Sequence, residues 1–226
     1  MHTFFKVASM FAGVGGIDLA FRQAGFEIVW ANEIDKYACR TYRLNFSENI
    51  LVEGDIQAVS TSDIPDFDVL IAGFPCQAFS SVGLLKGFED PRGNLFFETA
   101  RVIAAKRPKL VFFENVANLL KHDGGNTFNT ISQTINELGY FMKYNVMNAS
   151  DYGIPQQRNR IYIVAAQSKD FVEQFEFPRK RPLKRDAFAF FDKERQPEHF
   201  YMDKHKKWNE ICYRLVCFEN RFLLIL

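Results

Sequence analysis

Residues 4–33 constrain the fold more than any other stretch. Phe4 to Phe11 is an apolar run, followed by Ala12-Gly13-Val14-Gly15-Gly16 and then by Ile17, Ala20, Phe21 and Ala24 at helical spacing. This reads as strand, glycine turn and helix. The glycines let the backbone approach a ligand closely, and the start of the helix offers unpaired N–H groups. A second strand, Glu27 to Ala31, ends at Asn32-Glu33. Glu33 follows Gly13 at about the 20-residue spacing where a Rossmann-type site places an acid on ribose hydroxyls. The glycines read G-x-G-G, and Asp18 stands where G-x-G-x-x-G would need its last glycine. The pattern therefore points away from a dinucleotide and towards a nucleoside cofactor without a pyrophosphate.

The rest of the chain continues the alternation of an α/β fold. A short strand, Ile50 to Val52, ends at Glu53-Gly54-Asp55-Ile56; Asp55 suits the amino group of an adenine and Ile56 its ring face, although such an acid also caps helices. Phe67 to Ala72 forms a fourth strand, and it delivers Gly73-Phe74-Pro75-Cys76-Gln77-Ala78-Phe79-Ser80. A cysteine here lies at the carboxyl edge of the sheet, where α/β enzymes keep their chemistry. Its thiolate would be the nucleophile. The loop that follows, to Asn94, is long against roughly two to six residues for such connections, which suits a lid. Helix Leu95 to Lys106 carries an apolar stripe of Leu95, Thr99, Val102 and Ile103.

The fifth strand, Lys109 to Phe113, closes on Glu114-Asn115-Val116. A Glu ending an apolar strand is half-desolvated, which suits a proton donor, and it could equally cap the next helix. Further on, Gln156-Gln157-Arg158-Asn159-Arg160 enters the strand Ile161 to Ala165. In extended backbone Arg158 and Arg160 point to one side, where two guanidiniums meet a carboxylate, a phosphate, a base edge or only solvent.

Composition adds bounds. With 226 residues, 47% hydrophobic and 24% charged, the chain has room for one good-sized domain. A net charge of +1 means that any affinity for nucleic acid must come from local patches. Cys39, Cys76, Cys212 and Cys217 form no disulfide or zinc pattern, and no leader or membrane span is visible, so a bacterial cytosol is the expected location.

Six blocks in this order resemble the DNA cytosine-5 methyltransferase family, with loop and helix segments most similar to bacterial modification enzymes of the HhaI type. They are Phe11–Gly16, Asn32-Glu33, Gly54-Asp55-Ile56, Gly73–Ser80, Glu114-Asn115-Val116 and Gln156–Arg160. The resemblance implies an S-adenosylmethionine-dependent methyltransferase fold, a Rossmann-like three-layer sandwich on a mostly parallel seven-stranded sheet with one reversed strand. It implies that Cys76 attacks carbon 6 of a cytosine and that Glu114 holds its ring nitrogen 3 and exocyclic amine. Arg158 would fix the base carbonyl and Glu114, and Arg160 would support the Cys76 loop. S-adenosylmethionine would lie on Phe11, Gly13, Val14, Gly15, Gly16, Glu33, Ile34, Asp55, Ile56, Pro75 and Leu95. Gln77, Phe79, Ser80 and Asn115 would meet the base or the DNA.

The resemblance covers roughly residues 4 to 200, and three regions are expected. Residues 1–176 form the catalytic domain. Residues 177–207 form a linker whose Arg179, Lys180, Arg181, Lys184 and Arg185 suit DNA phosphates. Residues 208–226 resemble nothing in the family, as in a truncated or frame-shifted chain. The partners expected are double-stranded DNA and a second polypeptide that supplies a target-recognition region. The alternatives are one subunit of a split enzyme, an inactive remnant and, with less support, an NAD(P)-dependent oxidoreductase.

Overall fold

A computed structural model describes residues 4–75 and 95–181. Seven strands form one sheet, β1 (Lys6–Met10), β2 (Glu27–Glu33), β3 (Leu51–Glu53), β4 (Val69–Ala72), β5 (Leu110–Val116), β6 (Phe141–Asn148) and β7 (Asn159–Ala166). Their order across the sheet is β3-β2-β1-β4-β5-β7-β6. From β3 to β5 each pair is parallel, and β7 runs antiparallel to both of its neighbours. This is the mostly parallel sheet with one reversed strand that the resemblance implies.

The helices are α1 (Gly16–Gln23), α2 (Lys36–Asn45), α3 (Leu95–Lys106), α4 (Asn126–Glu137) and α5 (Lys169–Gln174). Because side chains alternate across a strand, each central strand feeds two cores. On one face Val7, Val69 and Ile71 pack with Ile17 and Phe21 of α1 and with Leu110 and Phe112. On the other, Ala8, Met10, Leu70, Val111 and Phe113 pack with Phe96, Val102 and Ile103 of α3 and Ile131 and Ile135 of α4. The sheet is thus the middle of three layers.

Several strands run further than their apolar residues suggest, β2 to Glu33 and β3 to Glu53 among them. β5 continues through Glu114 and Asn115 to Val116, and β7 begins at Asn159. The extension follows from the antiparallel ladder, which pairs Glu114 with Tyr162 and Val116 with Arg160. Glu114 therefore lies inside a strand and caps no helix. The expected stripe of α1 also differs. Ile17 and Phe21 face the sheet, Ala20 and Ala24 are exposed, and the buried residue of the helix is Asp18.

At the opposite edge Asp68 gathers the starts of β1, β4 and β5. Its Oδ2 accepts the Lys6 amide at 3.0 Å and its Oδ1 accepts the Lys109 ammonium at 2.7 Å. These bonds, Lys109 first, hold the carboxyl below its ordinary range. A depressed folded-state pKa stabilises the fold above the unfolded value, about 3.9, and the gain is lost as pH falls through the folded value. Asp68→Asn is therefore expected to flatten the loss of stability below about pH 4 in urea midpoints taken across the acid range. Parallel acid limbs in variant and wild type would contradict this.

Candidate active site

The carboxyl edge of the parallel strands collects the residues singled out by the sequence. After β1 the chain turns sharply. Phe11 has φ +57°, Gly13 +57° and Gly15 +88°. A phenylalanine in the left-handed region is a local strain of the kind that accumulates at functional turns. The turn is tied to the end of β2 by Ala12 N–H donating to Asn32 O at 3.0 Å and by Gly13 N–H donating to Glu33 Oε2 at 2.8 Å. Glu33 Oε1 also accepts the amides of Ile34 and Asp35, each at 2.8 Å. Three N–H groups thus fix the carboxylate, and of its roughly four lone-pair positions one is left for a hydroxyl.

Above the turn there is room. Among the described residues a Cβ built at Gly13 or Gly16 meets nothing within 4 Å, whereas at Gly15 it lies 2.4 Å from Phe46 Cε2. Gly15 therefore faces the protein, and Gly13 and Gly16 leave a cradle open. Val14 and Ile34 are exposed beside it, Ile34 at 64%. An open cradle, a fixed carboxylate and an exposed branched side chain suit a nucleoside cofactor with a small charged end.

The third segment departs in part from expectation. Asp55 Oδ1 accepts Gln57 N–H at 3.0 Å, capping a 3-10 turn over Ile56–Ala58. Ile56 is only 2% exposed and packs in the larger core, so its side chain offers no open face to a ring as expected. Two residues outside the expected set hold this wall. Asn32 Nδ2 donates to Val52 O and Gly54 O, both at 3.0 Å, and Arg101 Nη2 donates to Ile56 O and Val59 O at 3.1 and 3.0 Å. A polar residue near the end of an apolar strand was the signal for Asn32. A helix arginine 45 residues from its acceptor at Ile56 leaves no such trace in the sequence.

Two of the catalytic candidates, Glu114 and Arg160, meet further along the same edge. Glu114 Oε1 and Arg160 Nε form an ion pair at 2.9 Å, both side chains about four-fifths shielded. Sequence reasoning gave the contact with Glu114 to Arg158, and the structure gives it to Arg160. The cause is register: Arg160 lies opposite Val116, two residues beyond Glu114 on one face, within diagonal reach. Arg158 is exposed, its amide donating to Asn148 Oδ1 at 2.9 Å. Tyr162 shares this setting. Burial pushes its hydroxyl pKa up, Glu114 adds to the rise, and Arg158 and Arg160 oppose it.

The end of β4 meets this cluster at Gly73, where a built Cβ would lie 3.8 Å from Glu114 Oε2. Asn115 points to the opposite face and is buried. Its Nδ2 donates to Phe74 O at 2.8 Å, and its Oδ1 accepts Val116 N–H at 2.8 Å. Its amide is committed within the protein, so it clamps the backbone leading to Pro75 and does not present itself to a base. Pro75 is exposed and Leu95 half-buried. Cys76, Gln77, Phe79 and Ser80 lie outside the described residues. In the basic run, Lys180 Nζ pairs with Asp151 Oδ2 at 2.8 Å; Lys184 and Arg185 also lie outside the described residues.

With this geometry in view, the family model of C-5 cytosine-specific DNA methylases matches residues 5–214. The chain belongs to that family. Among similar curated proteins, the Type II methyltransferase M.Bsp6I of Bacillus sp. (strain RFL6) is 53% identical over 181 residues, covering 79% of this chain and 57% of that protein. The Type II methyltransferase M.HhaI of Haemophilus parahaemolyticus is 46% identical over 199 residues, covering 88% and 60%. The chain thus spans a little under two thirds of the length of these methylase relatives. Among solved structures, the Dnmt2 methyltransferase of S. pombe matches with TM-score 0.71 at 23% identity, covering 92% of this chain and 67% of that one, a likeness of fold alone. A Spodoptera frugiperda DNMT2 mutant matches with TM-score 0.63 at 25% identity, covering 80% and 56%. Membership of the C-5 methylase family does not favour the split-subunit, remnant or oxidoreductase readings. Among the described residues no helix is long and apolar enough to cross a membrane.

Proposed function

We propose that this chain is the catalytic part of a DNA cytosine-5 methyltransferase acting within a restriction-modification system. The observation that carries the reading is the Glu114–Arg160 ion pair beside Gly73, at the edge where β4 leads into Pro75-Cys76. The Type II names of its relatives support the biological setting.

The cofactor would be S-adenosylmethionine, which supplies an electrophilic methyl group on a sulfonium. Glu33 would take one ribose hydroxyl, and the turn from Phe11 to Gly16 its methionine end. Asp55 and Ile34 would border the adenine, and Pro75 and Leu95 the transferred group. Double-stranded DNA would be the substrate. A stacked cytosine cannot offer carbon 6 to a thiolate, so the base has to leave the helix.

Cys76 sulfur then bonds to carbon 6, and Glu114 places a proton at ring nitrogen 3, so that the electron pair reaching the ring is neutralised. Carbon 5 would become enamine-like and able to accept the methyl group, the sulfonium departing as a neutral thioether. The nitrogen 3 proton would return to Glu114 and the carbon 5 proton would pass to water, the electron pair so released expelling the sulfur as a thiolate. Arg160 would hold Glu114 in place during these transfers, which leaves the exposed Arg158 for the base carbonyl or a phosphate.

Transfer of labelled methyl to duplex DNA by wild type and Cys76→Ala tests this reading. Label in cytosine that falls to background in Cys76→Ala, with cofactor affinity retained by calorimetry, is the expected result. Label that persists in Cys76→Ala, or that appears on adenine, would overturn it.

A further inference from the structure

The helix behind the glycine turn buries a carboxylate that none of the proposed steps uses. Asp18 is 1% exposed. Its Oδ2 accepts the Ser9 hydroxyl and its Oδ1 the Tyr42 hydroxyl, both at 2.9 Å. Burial raises the Asp18 carboxyl pKa, opposed by the Tyr42 and Ser9 hydroxyls, and burial pushes the Tyr42 hydroxyl well above its ordinary value. Asp18 pairs with no cation among the described residues, and such a carboxylate in an apolar interior is costly even with two donors. A leucine would serve packing alone at less cost.

What Asp18 holds explains its presence. Ser9 lies on β1 two residues before Phe11, where the turn begins, and Tyr42 lies on α2, the helix that starts just after Glu33. The Tyr42 ring stacks on Phe46 with centroids 4.4 Å apart, and this pair is the surface against which Gly15 lies. Arg22 closes the far side, its guanidinium 4.5 Å from the Phe46 ring centre and its Nη1 donating to Asn45 O at 2.8 Å. β1, α1 and α2 thus meet at one carboxylate beneath the turn.

We propose that Asp18 is a positioning residue, which fixes Tyr42 under Gly15 and so sets the glycine turn against Glu33. Its direct product is the Gly13 N–H to Glu33 Oε2 bond. Its consequence for cofactor affinity rests on the function proposed above; the geometry of the turn does not.

The test is amide hydrogen exchange followed by NMR on the full chain, with Gly13 as reporter and Phe113 and Ile163 as internal references for global stability. Tyr42→Phe keeps the ring and removes the tether, and Asp18→Ala removes both acceptors. Each is expected to speed Gly13 exchange about fivefold to tenfold, the scale of one net hydrogen bond, relative to the two references. Asp18→Asn retains an acceptor for Tyr42 and can donate to Ser9, so Gly13 should stay protected. S-adenosylmethionine affinity by calorimetry should weaken by a similar factor in the first two variants and hold in the third. Gly13 exchange that is unchanged, or that rises only in step with Phe113 and Ile163, overturns the proposal. Faster Gly13 exchange in the two variants, together with a wild-type chain that binds no S-adenosylmethionine, would uphold the positioning role and count against the proposed function instead.

Discussion

Glu114→Gln is expected to lower methyl transfer by about 10²–10⁴-fold, the usual contribution of a positioned acid, with little change in cofactor affinity. Glutamine keeps the shape and an oxygen for Arg160, but it has no acidic proton to give ring nitrogen 3. The charge arriving with the Cys76 sulfur would then remain on the ring, and attack would be uphill. The split between rate and binding separates this from a folding defect, because Glu114 lies on the opposite face of β5 from the larger core. Steady-state rates with saturating cofactor, together with the thermal midpoint, are the measurements. A variant retaining more than a tenth of wild-type turnover would remove Glu114 from the chemistry.

Gly15→Ala is expected to act on binding rather than on chemistry. At φ +88° a Cβ costs about 1–2 kcal/mol in backbone strain, and the resulting overpacking about 1–3 kcal/mol more. The added methyl would lie 2.4 Å from Phe46 Cε2 and 3.0 Å from Tyr42 Cδ2, so the ring pair or the turn has to move. If the turn moves, Gly13 leaves Glu33 and the carboxylate loses one of its three donors. A lower urea midpoint and a large loss of S-adenosylmethionine affinity should appear together. Gly16→Ala is the informative contrast: its Cβ meets nothing within 4 Å among the described residues, so stability should hold while any group in the cradle feels the methyl. Equal loss of stability in both variants would contradict this division.

The parts of this architecture visible in the sequence are those with short-range causes. Gly13 and Glu33 stand at a spacing dictated by one strand–turn–helix–strand unit, and the structure joins them by a direct hydrogen bond. The helix from Leu95 to Lys106 has the bounds its apolar spacing suggests. Contacts across the sheet were less visible. Alternation placed Arg158 and Arg160 on one side, but which of them meets Glu114 depends on the pairing of β7 with β5, a relation between residues far apart in the chain. Asn115 follows a catalytic candidate, and its neighbours in sequence suggest a shared target. Its burial on the other face gives it the Phe74 carbonyl instead. In the sequence Asp18 stands out only as the residue that breaks a glycine pattern. An acid in the first turn of a helix ordinarily faces solvent and complements the helix dipole, and nothing local marks this one as interior.

The reversed strand has a consequence for how this edge tolerates change. Glu114 and Arg160 sit on adjacent strands, so their separation is measured by rungs of a hydrogen-bonded ladder and not by the length of chain between them. The connection from Asn148 to Asn159 can lengthen or shorten at its tip while the rungs hold. A slip of a single rung, by contrast, would turn Arg160 to the far side of the sheet and leave Glu114 facing an isoleucine's backbone. The ladder works as a ruler with two-residue graduations, insensitive to gradual stretching and intolerant of one odd step.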